Sequence, residues 1–195
     1  MPHSLDPPLR IDWLAANELG GGAGRLGLTF LPGKRGPSLR YPGRTYRREL
    51  ATDLTTLRDA GVRYLLLLVE DDELARWGDP EIVSRAESVG VRVDRRPLRD
   101  GSAPPSMAAM DDLVETLESA RRTGDVAVAC MGGVGRTGTV AACALVARGL
   151  SAADAIDRVR AVRHPTAVET PEQVAFVEAY EGHVEQRIGA DTVAP

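Results

Sequence analysis

The chain has 195 residues, 43% hydrophobic and 27% charged, which suits one domain with a single core and excludes wholesale disorder. A net charge of −4, with no basic run and no basic–aromatic interleaving, argues against a nucleic-acid partner. Two cysteines make neither a disulfide framework nor a cysteine-based zinc site, and no metal-ligand spacing involves the three histidines, His3, His164 and His183.

Residues 1–9 hold three prolines and are expected to form a flexible arm; a single domain is expected over 10–187 and a frayed tail over 188–195. Residues 10–14 and 26–31 read as strands, with the glycine run 20–24 between them as a flexible turn. The Gly/Pro-rich stretch 32–43 reads as loop. Leu50, Leu54 and Leu57 give residues 46–60 helical spacing, ended by Gly61. Residues 64–69 are continuously apolar, as in a buried parallel strand, and are far too few to span a membrane. Short helices are expected at 72–77 and 80–89, a strand at 91–95, and a longer helix at 106–122. A strand at 126–130 then leads into helices at 136–148, 151–163 and 171–187. Strands alternating with helices predict an α/β fold, a mostly parallel sheet of four to five strands covered on both faces.

The chemistry concentrates in Cys130-Met131-Gly132-Gly133-Val134-Gly135-Arg136-Thr137-Gly138. The run links an apolar strand to a helix, so it places a thiol under a loop at a helix N-terminus. There the unpaired N–H groups and the helix dipole favour an oxyanion. Glycines at 132, 133 and 135 let successive N–H groups form a concave nest. Arg136 supplies a planar charged fork for two phosphate oxygens. The same groups stabilise a thiolate, which can attack phosphorus and form a phosphocysteine that water hydrolyses. Residues 131 to 136 would then bind the phosphate.

This signature resembles that of the cysteine-dependent protein tyrosine and dual-specificity phosphatases. Segments 26–33, 97–101 and 140–143 are most like the kinase-associated dual-specificity phosphatases of the cyclin-dependent kinase inhibitor type, in order over residues 25–182. One departure is Ala129, where the family usually has His before the cysteine. The resemblance implies the cysteine-phosphatase fold and hydrolysis of phosphomonoesters on a phosphorylated protein or peptide, phosphotyrosine ahead of phosphoserine or phosphothreonine.

The leaving group needs a proton, and Asp100, in a Gly/Pro-flanked loop, is the candidate that the resemblance also selects. An Asp-Gly turn is its bland alternative. Asp94, on a strand, is weaker, and Asp111 and Asp112 suit the first turns of a helix. In the family the hydroxyl matching Thr137 helps the thiolate leave. Gln173 resembles a water-positioning glutamine, and equally reads as the end of a capping box, Thr170-Pro171-Glu172-Gln173. Cys143, in an Ala/Val/Leu stretch, reads as core.

No metal or cofactor is called for. The neutral residues Met131, Gly132 and Val134 lean against polyphosphorylated lipids and towards a single phosphate. Alternatives are a silent phosphate-binding module, or a phosphatase of a small-molecule or lipid phosphate. Residues 1–25 are polar and read as carrying no signal peptide, so a cytoplasmic monomer away from membranes is expected. Lys34 is the only lysine among 24 basic residues, a bias associated with GC-rich bacterial coding.

Overall fold

The computed structural model describes residues 6–22, 24–38 and 40–193, the last three by backbone alone. Its strands are β1 (Asp12–Leu14), β2 (Leu26–Phe30), β3 (Arg35–Pro37), β4 (Thr45–Arg47), β5 (Val62–Leu67), β6 (Arg92–Arg95) and β7 (Asp125–Cys130). Five of them form one sheet in the order β1-β2-β7-β5-β6, parallel except for β1. The central strand β7 puts Cys130 level with Phe30 of β2 and Ala129 level with Leu67 of β5.

Side chains alternate across β7 with period two. Val126, Val128 and Cys130 enter one core, while Ala127 and Ala129 enter the other. Three helices cover the second face: α1 (Leu50–Asp59), α2 (Asp71–Trp77) and α3 (Ile82–Glu87). They bury Leu50, Leu54, Leu57, Leu74 and Ile82 against Leu65 and Leu67. The first face carries α4 (Met107–Arg121), α5 (Gly135–Val146), α6 (Ala152–Val162) and α7 (Pro171–Val193). Every residue of α5 is buried, because that helix lies between the sheet and α4, α6 and α7. Cys143 is fully buried within it, and burial holds its thiol well above the ordinary range, as befits a core residue. Among the described residues no helix is long and apolar enough to cross a membrane.

Four departures from expectation exceed a shift of one or two residues. The stretch 32–43 is not all loop: β3 pairs with β4 as a short antiparallel hairpin. Tyr46 therefore belongs to a strand, its ring packed near Phe30, and α1 starts only at Leu50. Of the expected arm, residues 1–5 lie outside the described residues, but 6–9 are held. Leu9 is buried, Asp6 accepts from the Arg47 N–H at 2.7 Å, and the Pro7 carbonyl accepts from Arg48 at 2.9 Å. Arg48 can reach it because its fork is already fixed on the buried Asp53. Finally, α7 continues past 187 to Val193, since no proline interrupts residues 172–194; the remainder of the expected tail lies outside the described residues.

Candidate active site

The signature loop sits at the carboxyl end of β7, where open α/β sheets bind ligands. Each carbonyl from Met131 to Val134 is drawn outward by a donor from elsewhere in the chain. Lys34 Nζ takes Met131 O at 3.1 Å; Arg163 takes Gly132 O at 3.3 Å and Gly133 O at 2.8 Å; the Val168 N–H takes Val134 O at 3.3 Å. With the carbonyls facing out, the N–H groups face in. The Gly133 N–H lies 3.2 Å from Cys130 Sγ, and those of Val134 and Thr137 also stabilise its ionised form. Gly133 has φ +67, and a Cβ there would meet Thr29 O at 2.3 Å, so a side chain is excluded twice over. At Gly135 a Cβ would lie 2.6 Å from Glu169 Oε2, a side-chain end able to move, and 3.1 Å from the carboxamide of the buried Gln173, which is held in place.

Burial alone would raise the Cys130 thiol. The charge of Arg136, the Thr137 hydroxyl and the inward N–H groups outweigh it, and the thiol is depressed below its usual value. Thr137 Oγ1 is buried with no hydrogen bond of normal geometry, and its electrostatic interaction is with this sulfur. Ala129, where the family's His is missing, lies in the opposite core and contributes nothing here. Alkylation by iodoacetamide reports the consequence. A depressed thiol gains its thiolate at lower pH than a free one. The Cys130 alkylation rate should therefore climb and level off before the ordinary thiol range, about 8.5, is reached. A profile centred at or above that value would contradict the geometry. Cys143 should stay unmodified in the native protein.

Arg136 is buried, and Glu73 of α2 holds it bidentately: Nη1 to Oε2 at 2.6 Å and Nη2 to Oε1 at 2.7 Å. Nη1 also donates to the Leu98 and Leu68 carbonyls. Burial disfavours its charge, but the Glu73 bonds and the neighbouring Cys130, Glu73 and Asp100 charges prevail and raise its pKa. Its Nε is buried and makes no hydrogen bond among the described residues, leaving one donor for a phosphate oxygen. Glu73 was not among the sequence candidates. Its only local signal is the capping box with Glu70, whose N–H it also accepts at 2.9 Å.

Asp100 joins the site from the loop after β6. Its carboxylate is largely exposed and lies 2.8 Å from Arg136 Nη2. Helix α7 tethers the far side of this loop: Thr170 Oγ1 donates to Gly101 O at 2.9 Å and Gln173 Nε2 to Ser102 O at 3.0 Å. Gln173 Oε1 accepts from the Glu169 and Thr170 N–H groups, and Thr170 Oγ1 accepts from the Gln173 N–H. Gln173 is thus a buried helix cap whose carboxamide is engaged at both ends, set against the start of α5 at Gly135. The other acids stand apart. Asp94 accepts from Tyr64 and Arg96, Asp111 from Tyr180 and His183, and Asp112 pairs with Arg96. His3 lies outside the described residues. His164 lies on the cavity wall, bonded to Thr166.

Above the loop opens a cavity of about 640 Å³. The end of β2, the β3–β4 hairpin and the segment before β1 form a wall of Phe30, Tyr41, Tyr46, Pro7 and Pro8. Two further residues support the loop without any local sequence signal. Arg163 bridges the loop carbonyls to Asp12, and Val168, a β-branched residue at φ 60, holds Val134 O. Such a conformation is costly for valine and persists where surrounding contacts over-determine it.

A family model described as "Polymorphic toxin system, DSP-PTPase phosphatase" matches residues 42–150. Cyclin-dependent kinase inhibitor 3 of Rattus norvegicus is 27% identical over 178 residues, covering 89% of this chain and 79% of that protein. The structure of kinase associated phosphatase, with its catalytic-site cysteine substituted by serine, superposes with a TM-score of 0.79 at 24% identity. That match covers 92% of this chain and 98% of the other. Tk-PTP in its active form gives a TM-score of 0.65 at 30% identity, over 82% of this chain and 92% of the other.

Proposed function

Since the chain belongs to the DSP-PTPase phosphatase family of polymorphic toxin systems and is a protein phosphatase, we propose that it hydrolyses its substrates through a phosphocysteine at Cys130. The observation that carries this is the convergence on one sulfur of inward N–H groups and a buried guanidinium, with a carboxyl 2.8 Å from that guanidinium. Cys130 Sγ attacks phosphorus as the ester P–O bond breaks, and the leaving oxygen takes a proton from Asp100. Arg136 and the N–H groups of residues 131–136 hold the three remaining oxygens as charge builds on them. Water then attacks the phosphocysteine, the S–P bond breaks, and Asp100 receives the water's proton. The Thr137 hydroxyl stabilises the sulfur as it departs.

The aromatic wall of Phe30, Tyr41 and Tyr46 supports an aryl phosphate, so phosphotyrosine is placed first among the substrates. Release of p-nitrophenol from p-nitrophenyl phosphate without added metal, between about pH 5 and 8, tests the catalytic reading. Binding of orthovanadate with no turnover would leave a binding module instead. Asp100→Asn separates the acid from the rest of the site. On a phosphoserine peptide, whose alkoxide needs a proton, kcat should fall roughly 10²-fold. On p-nitrophenyl phosphate, whose leaving group departs as a stable anion, the loss should be much smaller. Equal losses on both substrates would remove Asp100 from the acid role.

A further inference from the structure

The signature loop accommodates one phosphate, but the cavity above it is much larger, and its lining is cationic in a chain of net charge −4. Six basic side chains border it, against the carboxylates of Asp100 and Glu169. Four of the six are already answered within the protein: Arg48 by Asp53, Arg10 and Arg163 by Asp12, and Arg40 by Glu169. Lys34 and Arg44 are not.

Lys34 is only 7% exposed and pairs with no carboxylate; its hydrogen bond goes to the Met131 carbonyl. Arg44 likewise makes no ion pair among the described residues. Both cations lie against the same ring, Lys34 Nζ at 4.5 Å and Arg44 Cζ at 4.7 Å from the Tyr46 centroid. The ammonium is buried and the guanidinium exposed at the rim; two like charges on one ring repel each other, and burying the ammonium costs free energy that a bound anion would offset. Burial, opposed by the Cys130 and Asp100 charges and reinforced by Arg44 and Arg40, brings Lys34 down to about 8. The lysine is thus still cationic at neutral pH.

We propose that Lys34 and Arg44 form a second anion subsite beside the signature loop, one that selects phosphopeptides carrying a carboxylate or a second phosphate next to the phosphorylated residue. The proposal rests on the phosphatase reading above and adds the substrate's charge pattern to it. Lys34 reaches the loop at Met131, one residue from the nucleophile, so the second anion belongs to a flanking residue and not to a remote docking motif. The neutral residues inside the loop had suggested a ligand with one phosphate alone; the cations come from the hairpin instead. A peptide suits the site better than a membrane lipid. Tyr41 and Ile188 are the only exposed large hydrophobic side chains among the described residues, and of the two only Tyr41 borders the cavity, too little to insert into a bilayer.

The test uses three phosphotyrosine peptides that differ only at the flanking positions: alanine, glutamate or phosphothreonine. A soluble short-chain phosphatidylinositol bisphosphate is the fourth substrate. Wild-type kcat/KM should be about tenfold higher for the glutamate peptide than for the alanine one, higher again for phosphothreonine, and the preference should shrink with salt. Arg44→Ala and Lys34→Met should each bring the glutamate-to-alanine ratio down towards one, and Arg44→Glu should invert it. Arg44 is exposed, so its variants fold even where Lys34→Met does not. A wild-type ratio of one, with the alanine peptide still hydrolysed, would overturn the subsite and leave the phosphatase reading standing. A high ratio unchanged in the variants would overturn its assignment to these residues, and a lipid preferred over every peptide would overturn its occupant. If no substrate is turned over, the catalytic reading fails and takes the subsite with it.

Discussion

Cys130→Ser is expected to lower kcat by roughly 10⁴-fold or more while leaving orthovanadate binding in place. The site is arranged around an ionised sulfur. Three N–H groups, the Thr137 hydroxyl and Arg136 draw the Cys130 thiol down, against a burial that alone would raise it. None of these can bring a serine hydroxyl within reach of ionisation near neutral pH, so the nucleophile is lost. The oxyanion nest survives, because its N–H groups are oriented by the outward bonds from Lys34, Arg163 and Val168, and none of these touches the sulfur. Single-turnover kinetics with p-nitrophenyl phosphate and calorimetry with orthovanadate measure the two halves. Substantial residual turnover would mean that another group attacks phosphorus. Loss of vanadate binding along with activity would mean that the sulfur holds the loop together.

Glu73→Ala should cost both stability and catalysis. It removes the bidentate carboxylate of a fully buried guanidinium, leaving only the exposed Asp100 and the Cys130 charge against it, and breaking such a buried pair costs about 3 kcal/mol. For a chain of this length that corresponds to a fall in Tm of roughly 6–12 °C. The α2 capping box is lost with it. The catalytic loss comes from orientation. Glu73 grips both terminal nitrogens of Arg136, fixing the plane of the fork and the direction of Nε. An arginine free to turn forfeits much of its hold on the equatorial oxygens, so kcat/KM should drop by roughly 10³-fold, within the range an arginine supplies in phosphoryl transfer. Glu73→Gln, which keeps the shape and loses the charge, should fall between. A variant that melts early yet turns over normally would limit Glu73 to a structural role.

Sequence alone exposed the parts of the site that are contiguous. Cys130 through Thr137 occupy one strand end, one loop and one helix start, and the glycines there have local reasons to be glycines. The loop carrying Asp100 is a local object too, but its position leaves an acid and an Asp-Gly turn level, and the family resemblance selects the acid. Glu73, Arg163 and Lys34 could not be found, because what they touch lies 63, 30 and 97 residues away and no local pattern encodes such a meeting. The hairpin was missed for a related reason. Gly36 and Gly43, at positive φ, permit tight turns as well as loops, and only pairing with β4 decides between them. For Gln173 the sequence left two readings level. The structure engages both ends of its carboxamide, on the α7 start and on Ser102.

That engagement bears on the timing of catalysis. A mobile lid must be brought over its substrate in each cycle, and ordering its backbone costs about 1–2 kcal/mol per residue each time. Here the segment carrying Asp100 is fastened to the start of α7 at Gly101 and Ser102, and to Arg136 through Leu98. Its ordering cost is met once, when the chain folds. In the proposed mechanism proton delivery then requires only a side-chain rotation, and α7, none of whose residues lines the cavity, serves as the beam on which Asp100 is mounted.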